Sequence, residues 1–209
     1  MAVMHPASCP ETANAAERAA FAVLEHFLDA GWTAWFQTPL PGRAGDGRRA
    51  PTPLRADFVL LGATGLYIVE VKGWRAASIT EADDHVIHFR NGVQVHHPLV
   101  QAYRYTAALT GLLREQPGVL RGAAIPVRYA VALPYLSTAD LAVAPWAPAL
   151  AGARLLLADD LGPLLASRLA ELPPAGAPLT PAQQDAIRRL FTRGDGRAPS
   201  ARPLPLFED

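Results

Sequence analysis

ADFVLLGATGLYIVEVKGW, residues 56–74, reads as two apolar strands joined by a glycine-containing turn, with Asp57, Glu70 and Lys72 set into them. Val59, Leu61, Ile68, Val69 and Val71 suit a pleated, packed surface. Side chains alternate along a strand. Glu70 and Lys72 therefore share a face with Leu66 and Ile68, while Val69 and Val71 point the other way. Charges at the end of an apolar row are costly unless a partner charge or a metal ion offsets them. Two carboxylates and one amine at the mouth of a small sheet make a hard-cation site with a positioned base or proton donor beside it.

The bulk composition bounds what such a site can belong to. The chain has 209 residues, half of them hydrophobic, which predicts one domain with a short appendage. The expected division is a disordered N-terminus over residues 1–10, the domain over 11–172, and a linker, helix and tail over 173–209. No apolar run reaches the ~18 residues of a membrane span, and the N-terminus lacks a basic start followed by an apolar block. The single cysteine, Cys9, rules out an internal disulfide and reads as a thiol in a frayed terminus, so a reducing cytoplasm is expected. Acidic and basic residues number 19 each, which excludes a whole-chain basic footprint for nucleic acid and leaves only local clusters. Of the basic residues only Lys72 is a lysine. Arginine replaces lysine freely on a solvated surface, but not where a compact amine must give up a proton.

Upstream, residues 11–30 predict an amphipathic helix with Phe21, Leu24, Phe27 and Leu28 at helical spacing and Gly31 as its stop. Glu17 falls on its apolar side and reads equally as a first-turn acid favoured by the helix dipole. Trp32–Thr38 predicts a strand with Trp32, Ala34 and Phe36 on one face. The following Pro/Gly/Arg stretch carries Arg43, Arg48, Arg49 and Arg55, and reads either as a solvated connection or as an arm that contacts phosphates.

Downstream, residues 75–98 predict a meander turning at Asn91-Gly92; its histidines His85, His88, His96 and His97 match no standard zinc spacing. A helix over 99–116 has a predicted buried face of Leu99, Ala102, Tyr103, Thr106, Leu109 and Leu113, with Gln101 and Tyr105 neighbouring one another four residues apart. Val127–Leu133 predicts the last core strand. A short helix at Thr138–Leu141, a further strand, a helix from Asp159 or Asp160, and a final helix capped by Thr180 with Pro181 at its first position complete the chain before a disordered tail.

The order Asp57, hairpin, Glu70-x-Lys72 resembles the core of the PD-(D/E)XK nuclease superfamily, and DFVLLGATGLYIVEVKGW is similar to the nuclease-related domain (NERD) family. The resemblance implies an α/β fold with a restriction-endonuclease-like αβββαβ core, a central mixed sheet flanked by helices, over roughly residues 11–135. It implies Asp57, Glu70 and the Val71 carbonyl as ligands of Mg²⁺ or Mn²⁺, with Glu17 of AERAAFAVL near the metal, and Lys72 as the residue that orients and deprotonates a water. Gln101-x-x-x-Tyr105 is similar to a further motif of RecB-like members that contacts the nucleic acid or orients the lysine; the pair reads equally as two ordinary helix residues.

The expected function is a metal-dependent nuclease acting on DNA, in repair or in defence against foreign DNA. The alternative is a non-catalytic module that binds DNA or a partner and recruits an attached helicase or kinase. DNA is the expected partner, with a helicase or kinase on the same or a neighbouring chain and a homodimer also admitted. Leu179-Thr180-Pro181-x-Gln183 looks like the entry segment of a helicase motor, yet no G-x-x-x-x-G-K-[ST] loop accompanies it.

Overall fold

The computed structural model describes residues 1–41 and 54–192. Its centre is a six-stranded mixed sheet built from β1 (Val3–His5), β2 (Thr33–Leu40), β3 (Leu54–Gly62), β4 (Gly65–Val71), β8 (Val127–Leu133) and β9 (Leu155–Leu157), in that spatial order. β2, β3 and β4 run antiparallel to one another, while β1 joins β2, β8 joins β4, and β9 joins β8 in parallel. With α1 (Ala15–Phe27) before β2 and α2 (Pro98–Glu115) between β4 and β8, the order α1-β2-β3-β4-α2-β8 is the expected αβββαβ core.

The strand alternation read from residues 56–74 sorts side chains onto two layers. Phe58, Leu60, Tyr67, Val69 and Val71 pack with Ala16, Ala20, Phe21 and Leu24 of α1 and with Leu165 and Leu169 of α4 (Leu165–Ala170). Val59, Leu61, Leu66 and Ile68 pack with Tyr105, Leu109 and Leu113 of α2 and with Ile187 of α5 (Pro181–Thr192). The β3–β4 turn depends on Gly65: its φ is +145°, and a Cβ there would lie 2.4 Å from the Pro126 carbonyl oxygen.

A second, three-stranded antiparallel sheet of β5 (Ile79–Ala82), β6 (Val86–Phe89) and β7 (Gln94–His96) forms the predicted meander. It is anchored by Ile79 and Ile87 to a third cluster that includes Val131, Leu133 and Trp146.

Four expectations are corrected. Residues 1–10 are not a disordered end: Val3–His5 pairs with Thr33–Trp35, and Ala2 and Met4 are buried in the α1 layer. Three residues are too few to show periodicity, so only the open edge of β2 reveals the strand. Cys9 is partly buried against that layer rather than frayed.

The helix expected from Asp159 or Asp160 begins only at Leu165, because both acids are used as loop acceptors. Asp159 Oδ2 takes the Thr138 N–H of α3 (Thr138–Val143), and Asp160 takes the Leu157 N–H and the Arg168 guanidinium. On α2, Tyr103 is 61% exposed and Tyr105 is 7% exposed, the reverse of the expected face. The buried positions are 98, 102, 105, 109 and 113. These follow the helical repeat with Pro98 as its origin, and Tyr103 lies about a quarter turn off that stripe.

The final helix packs on the core. Leu179 and Ile187 are buried in the α2 layer, the Phe191 ring lies tilted at 38° to that of Trp35 with centroids 4.8 Å apart, and the Leu179 N–H bonds to the Ala63 carbonyl. The helicase-like Leu179-Thr180-Pro181-x-Gln183 segment forms a capping box: Gln183 Oε1 accepts the Thr180 N–H at 2.9 Å, and Thr180 Oγ1 accepts the Gln183 N–H at 3.3 Å.

Candidate active site

The site forms where β3 and β4 part. Their ladder runs from Gly62↔Gly65 to Phe58↔Val69 and stops there, while β4 continues alongside β8 to Val71↔Ala132. Beyond that point Asp57 replaces the backbone pairing, its Oδ2 accepting the Val71 N–H at 2.7 Å. The same residue sits at a break on its other side. Phe36↔Phe58 and Thr38↔Ala56 pair, but Gln37 between them, opposite Asp57, has φ +49°. A non-glycine residue in that region stores on the order of 1–3 kcal/mol of strain. Asp57 thus stands where both neighbouring ladders are interrupted, so its second carboxylate oxygen is not needed by the sheet.

Glu70, one strand over, is 2% exposed. Its Oε1 accepts from Lys72 Nζ at 2.7 Å, and its Oε2 is buried with no hydrogen-bond partner. Burial pushes the Glu70 carboxyl up to about 7; the nearby Asp57 charge adds to the rise, while Lys72 and a hydrogen bond from the Asp57 backbone oppose it. Burial also raises Asp57, against the Val71 N–H and Lys72, which favour its ionised form. The Lys72 side chain is 24% exposed, so the amine sits at the rim between the buried acid and solvent.

Tyr105 approaches from α2. Gln101 Nε2 donates to its hydroxyl at 2.7 Å. Burial raises the phenol pKa, the Gln101 bond lowers it, and the Glu70 and Asp57 charges raise it further, which sets the hydroxyl within the field of both acids. Of the expected residues, Asp57, Glu70, Lys72, Gln101 and Tyr105 are therefore brought to one place.

Glu17 closes the start of α1 and faces the pair only through its charge. Its Oε2 accepts the Asn14 N–H at 2.8 Å, closing the capping box of α1. Among the described residues no three of His, Cys, Asp and Glu group closely enough to hold a metal. Of the meander histidines, buried His97 caps α2, its Nδ1 accepting the Leu99 N–H at 3.3 Å.

Arg55 lies two residues before Asp57 and is exposed, its guanidinium 3.4 Å from Gln37 Oε1. Arg43, Arg48 and Arg49 fall outside the described residues. Two features escaped the sequence reading. Gln37 carries no signal in a strand of ordinary composition. Gly73 has a packing reason: a Cβ there would lie 3.0 Å from Ala16 Cβ, so the glycine lets the start of α1 close on the end of β4.

A mixed sheet flanked by helices in the order αβββαβ, with an Asp…Glu-x-Lys cluster where two central strands separate, defines a restriction-endonuclease-like domain. The nuclease-related domain model matches residues 12–134, more than half of the chain, and the chain belongs to that family. No curated protein and no solved structure matches it.

Two acids, and no third among the described residues, make up the donor set. Glu70 Oε2 is a buried, unpartnered carboxylate oxygen, a second carboxylate lies beside it, and like charges so placed repel unless a proton or a cation intervenes.

Proposed function

We propose that this protein hydrolyses phosphodiester bonds of DNA with Mg²⁺ or Mn²⁺ held by Asp57, Glu70 and the Val71 carbonyl. The observation that carries this reading is the unpartnered Glu70 Oε2 facing a second acid, with the chain's single lysine amine on the other Glu70 oxygen. A bound divalent cation would polarise a phosphoryl oxygen and make a water more acidic.

The protein's own residues do the rest. Glu70 holds the Lys72 amine in place, and an amine at the rim can orient a water and accept or return a proton, as an arginine cannot. The Gln101–Tyr105 pair fixes a hydroxyl beside the acids, where it positions Lys72 or the substrate strand. Arg55, with Arg43, Arg48 and Arg49 in the neighbouring stretch, would supply phosphate contacts. A role in DNA processing or in defence against foreign DNA fits this chemistry, as does a cytoplasmic setting.

The test is nicking and degradation of plasmid and linear DNA with Mg²⁺ and with Mn²⁺. Undiminished cleavage by Lys72→Ala and Asp57→Asn would place the catalyst elsewhere.

One observation favours a second reading. The described residues supply two acids and no third, and Lys72 occupies one oxygen of that pair. On this reading the domain binds DNA or a partner without cutting and recruits an attached helicase or kinase, as a monomer or a homodimer. Calorimetry separates the two: heat of binding for Mn²⁺ that is lost in Glu70→Gln supports the nuclease, and DNA binding with no metal binding supports the module.

A further inference from the structure

A cleft of about 350 Å³ is lined by Arg75, Ala77, Ser78, Phe89, Arg90 and Asn91. It lies between the segment that leaves β4 and the β6–β7 turn of the meander. Its floor is apolar, from Phe89, whose ring meets Trp74 at 5.4 Å. Of its polar side chains, Ser78 is used internally, its hydroxyl donating to the Arg75 carbonyl at 2.7 Å, which leaves Arg75, Arg90 and Asn91.

The Arg75 guanidinium is held over the Tyr135 ring at 4.8 Å. Arg90 is pinned by its Nε, which donates to the Ala77 carbonyl at 2.6 Å, so the outer nitrogens of its fork remain for a ligand. The Asn91 carbonyl oxygen is used by the Val93 N–H, leaving its amide NH₂. Among the described residues neither arginine is paired with a carboxylate, and none lines the cleft. Two fixed guanidiniums without a counter-ion, above an apolar wall, suit an anion carried on an organic framework.

Location narrows the anion. Arg75 is three residues beyond Lys72, so their Cα atoms are at most about 10 Å apart. Along a duplex each strand places a phosphate about every 3.4 Å of axis, so a strand lying across Glu70 and Lys72 has a phosphate within one to three nucleotides at the distance of Arg75. The chain has no net positive charge to provide affinity over its whole surface, which leaves such local clusters to do it. We propose that the Arg75–Arg90 cleft holds a backbone phosphate of the substrate strand and sets its register on the Asp57–Glu70–Lys72 cluster. This rests on the nuclease reading for the strand's position, though binding can be measured without cleavage.

The experiment is fluorescence anisotropy of the full chain with labelled single-stranded and duplex oligonucleotides in EDTA, across a salt series. Arg75→Gln/Arg90→Gln is expected to weaken binding about tenfold or more at low salt and to flatten the slope of log K against log salt by about 1–2. Arg90 also ties its own turn to Ala77, so Arg75→Gln alone is the cleaner variant. Arg75→Lys should recover most of the slope. Arg114→Gln, an exposed change of equal charge in the last turn of α2, should leave binding near wild type.

Equal binding by the double variant and the wild type, an equal loss in Arg114→Gln, or no binding by the wild type would each overturn the proposal. Wild-type cleavage measured separately keeps the two readings apart. A chain that cuts DNA but ignores Arg75→Gln retains the nuclease and loses the cleft. One that binds through Arg75 and does not cut does the opposite.

Discussion

Lys72 Nζ lies 2.7 Å from Glu70 Oε1, while Glu70 Oε2 is buried without a partner. One carboxylate therefore has one oxygen satisfied by an amine and one held open beside Asp57.

Lys72→Ala should reduce DNA cleavage about 10²–10⁴-fold, the range for loss of a positioned proton-transfer group. Lys72→Arg should restore the charge opposite Glu70 without restoring the rate, because a guanidinium does not give up its proton. Single-turnover cleavage of linear DNA reads both; full activity in the arginine variant would reduce Lys72 to a counter-ion.

Glu70 makes the metal-free protein less stable as pH rises. Its folded pKa, about 7, lies above the ordinary value of 4.5, so between these values the folded state holds a proton that the unfolded state releases. Stability from this group is then greatest below pH 4.5, falls through that window, and is lowest above pH 7. Asp57, also raised, acts with the same sign. The wild-type Tm in EDTA should drop between pH 5 and pH 7.5 more than that of Glu70→Gln. Added Mn²⁺ should recover stability at pH 7.5 in the wild type only. Parallel curves for the two proteins would mean that Glu70 is ionised throughout.

Asp57→Asn and Asp57→Ala should part company. Asparagine keeps a side-chain oxygen for the Val71 N–H, whereas alanine leaves that donor unmatched at the point where β3 and β4 separate. The alanine variant should lose about 1–3 kcal/mol in urea unfolding and the asparagine variant less. Both should lose cleavage. In Asp57→Asn the Glu70 carboxyl should titrate at lower pH, because the Asp57 charge helps to raise it, and carbon-detected NMR of that carboxyl follows the change.

Tyr105→Phe keeps the buried ring and removes the hydroxyl that Gln101 meets at 2.7 Å. Cleavage should fall by roughly tenfold, with stability changed by about 1 kcal/mol. Gln101→Ala should cost a similar amount, and the double variant little more than either single one, as for a pair that acts as a unit. Fully multiplicative losses would show two independent roles.

Gly65→Ala tests the turn beneath the site. Its Cβ would sit 2.4 Å from the Pro126 carbonyl oxygen, at a φ that side chains avoid. A loss of about 3 kcal/mol or more is expected, seen as a lower urea midpoint. Gly92→Ala, also at positive φ but in open space, should cost less.

The amino-acid order alone determined the two strands, their faces, and the position of Asp57, Glu70 and Lys72 on them. Side-chain alternation over residues 57–72 puts Asp57, Glu70 and Lys72 on one face with Val59, Leu61, Leu66 and Ile68, and the adjoining glycine turn sets the pairing. It also placed α1 and the paired Gln101 and Tyr105, which lie within single periodic elements. What it misassigned depends on partners distant in the chain. Val3–His5 is a strand only because β2 offers an edge; Tyr105 turns inward and Tyr103 outward because β4 and β8 fix how α2 rolls. Glu17, which the resemblance puts near the metal, gives one oxygen to the α1 capping box and acts on Asp57 as a nearby charge. Tertiary structure likewise decided that β3 and β4 part at Phe58↔Val69, and so left Glu70 Oε2 buried and open. A sequence can specify which residues carry charge and which face they take. Whether a buried oxygen finds a partner depends on every element packed around it, and only the folded chain brings those together.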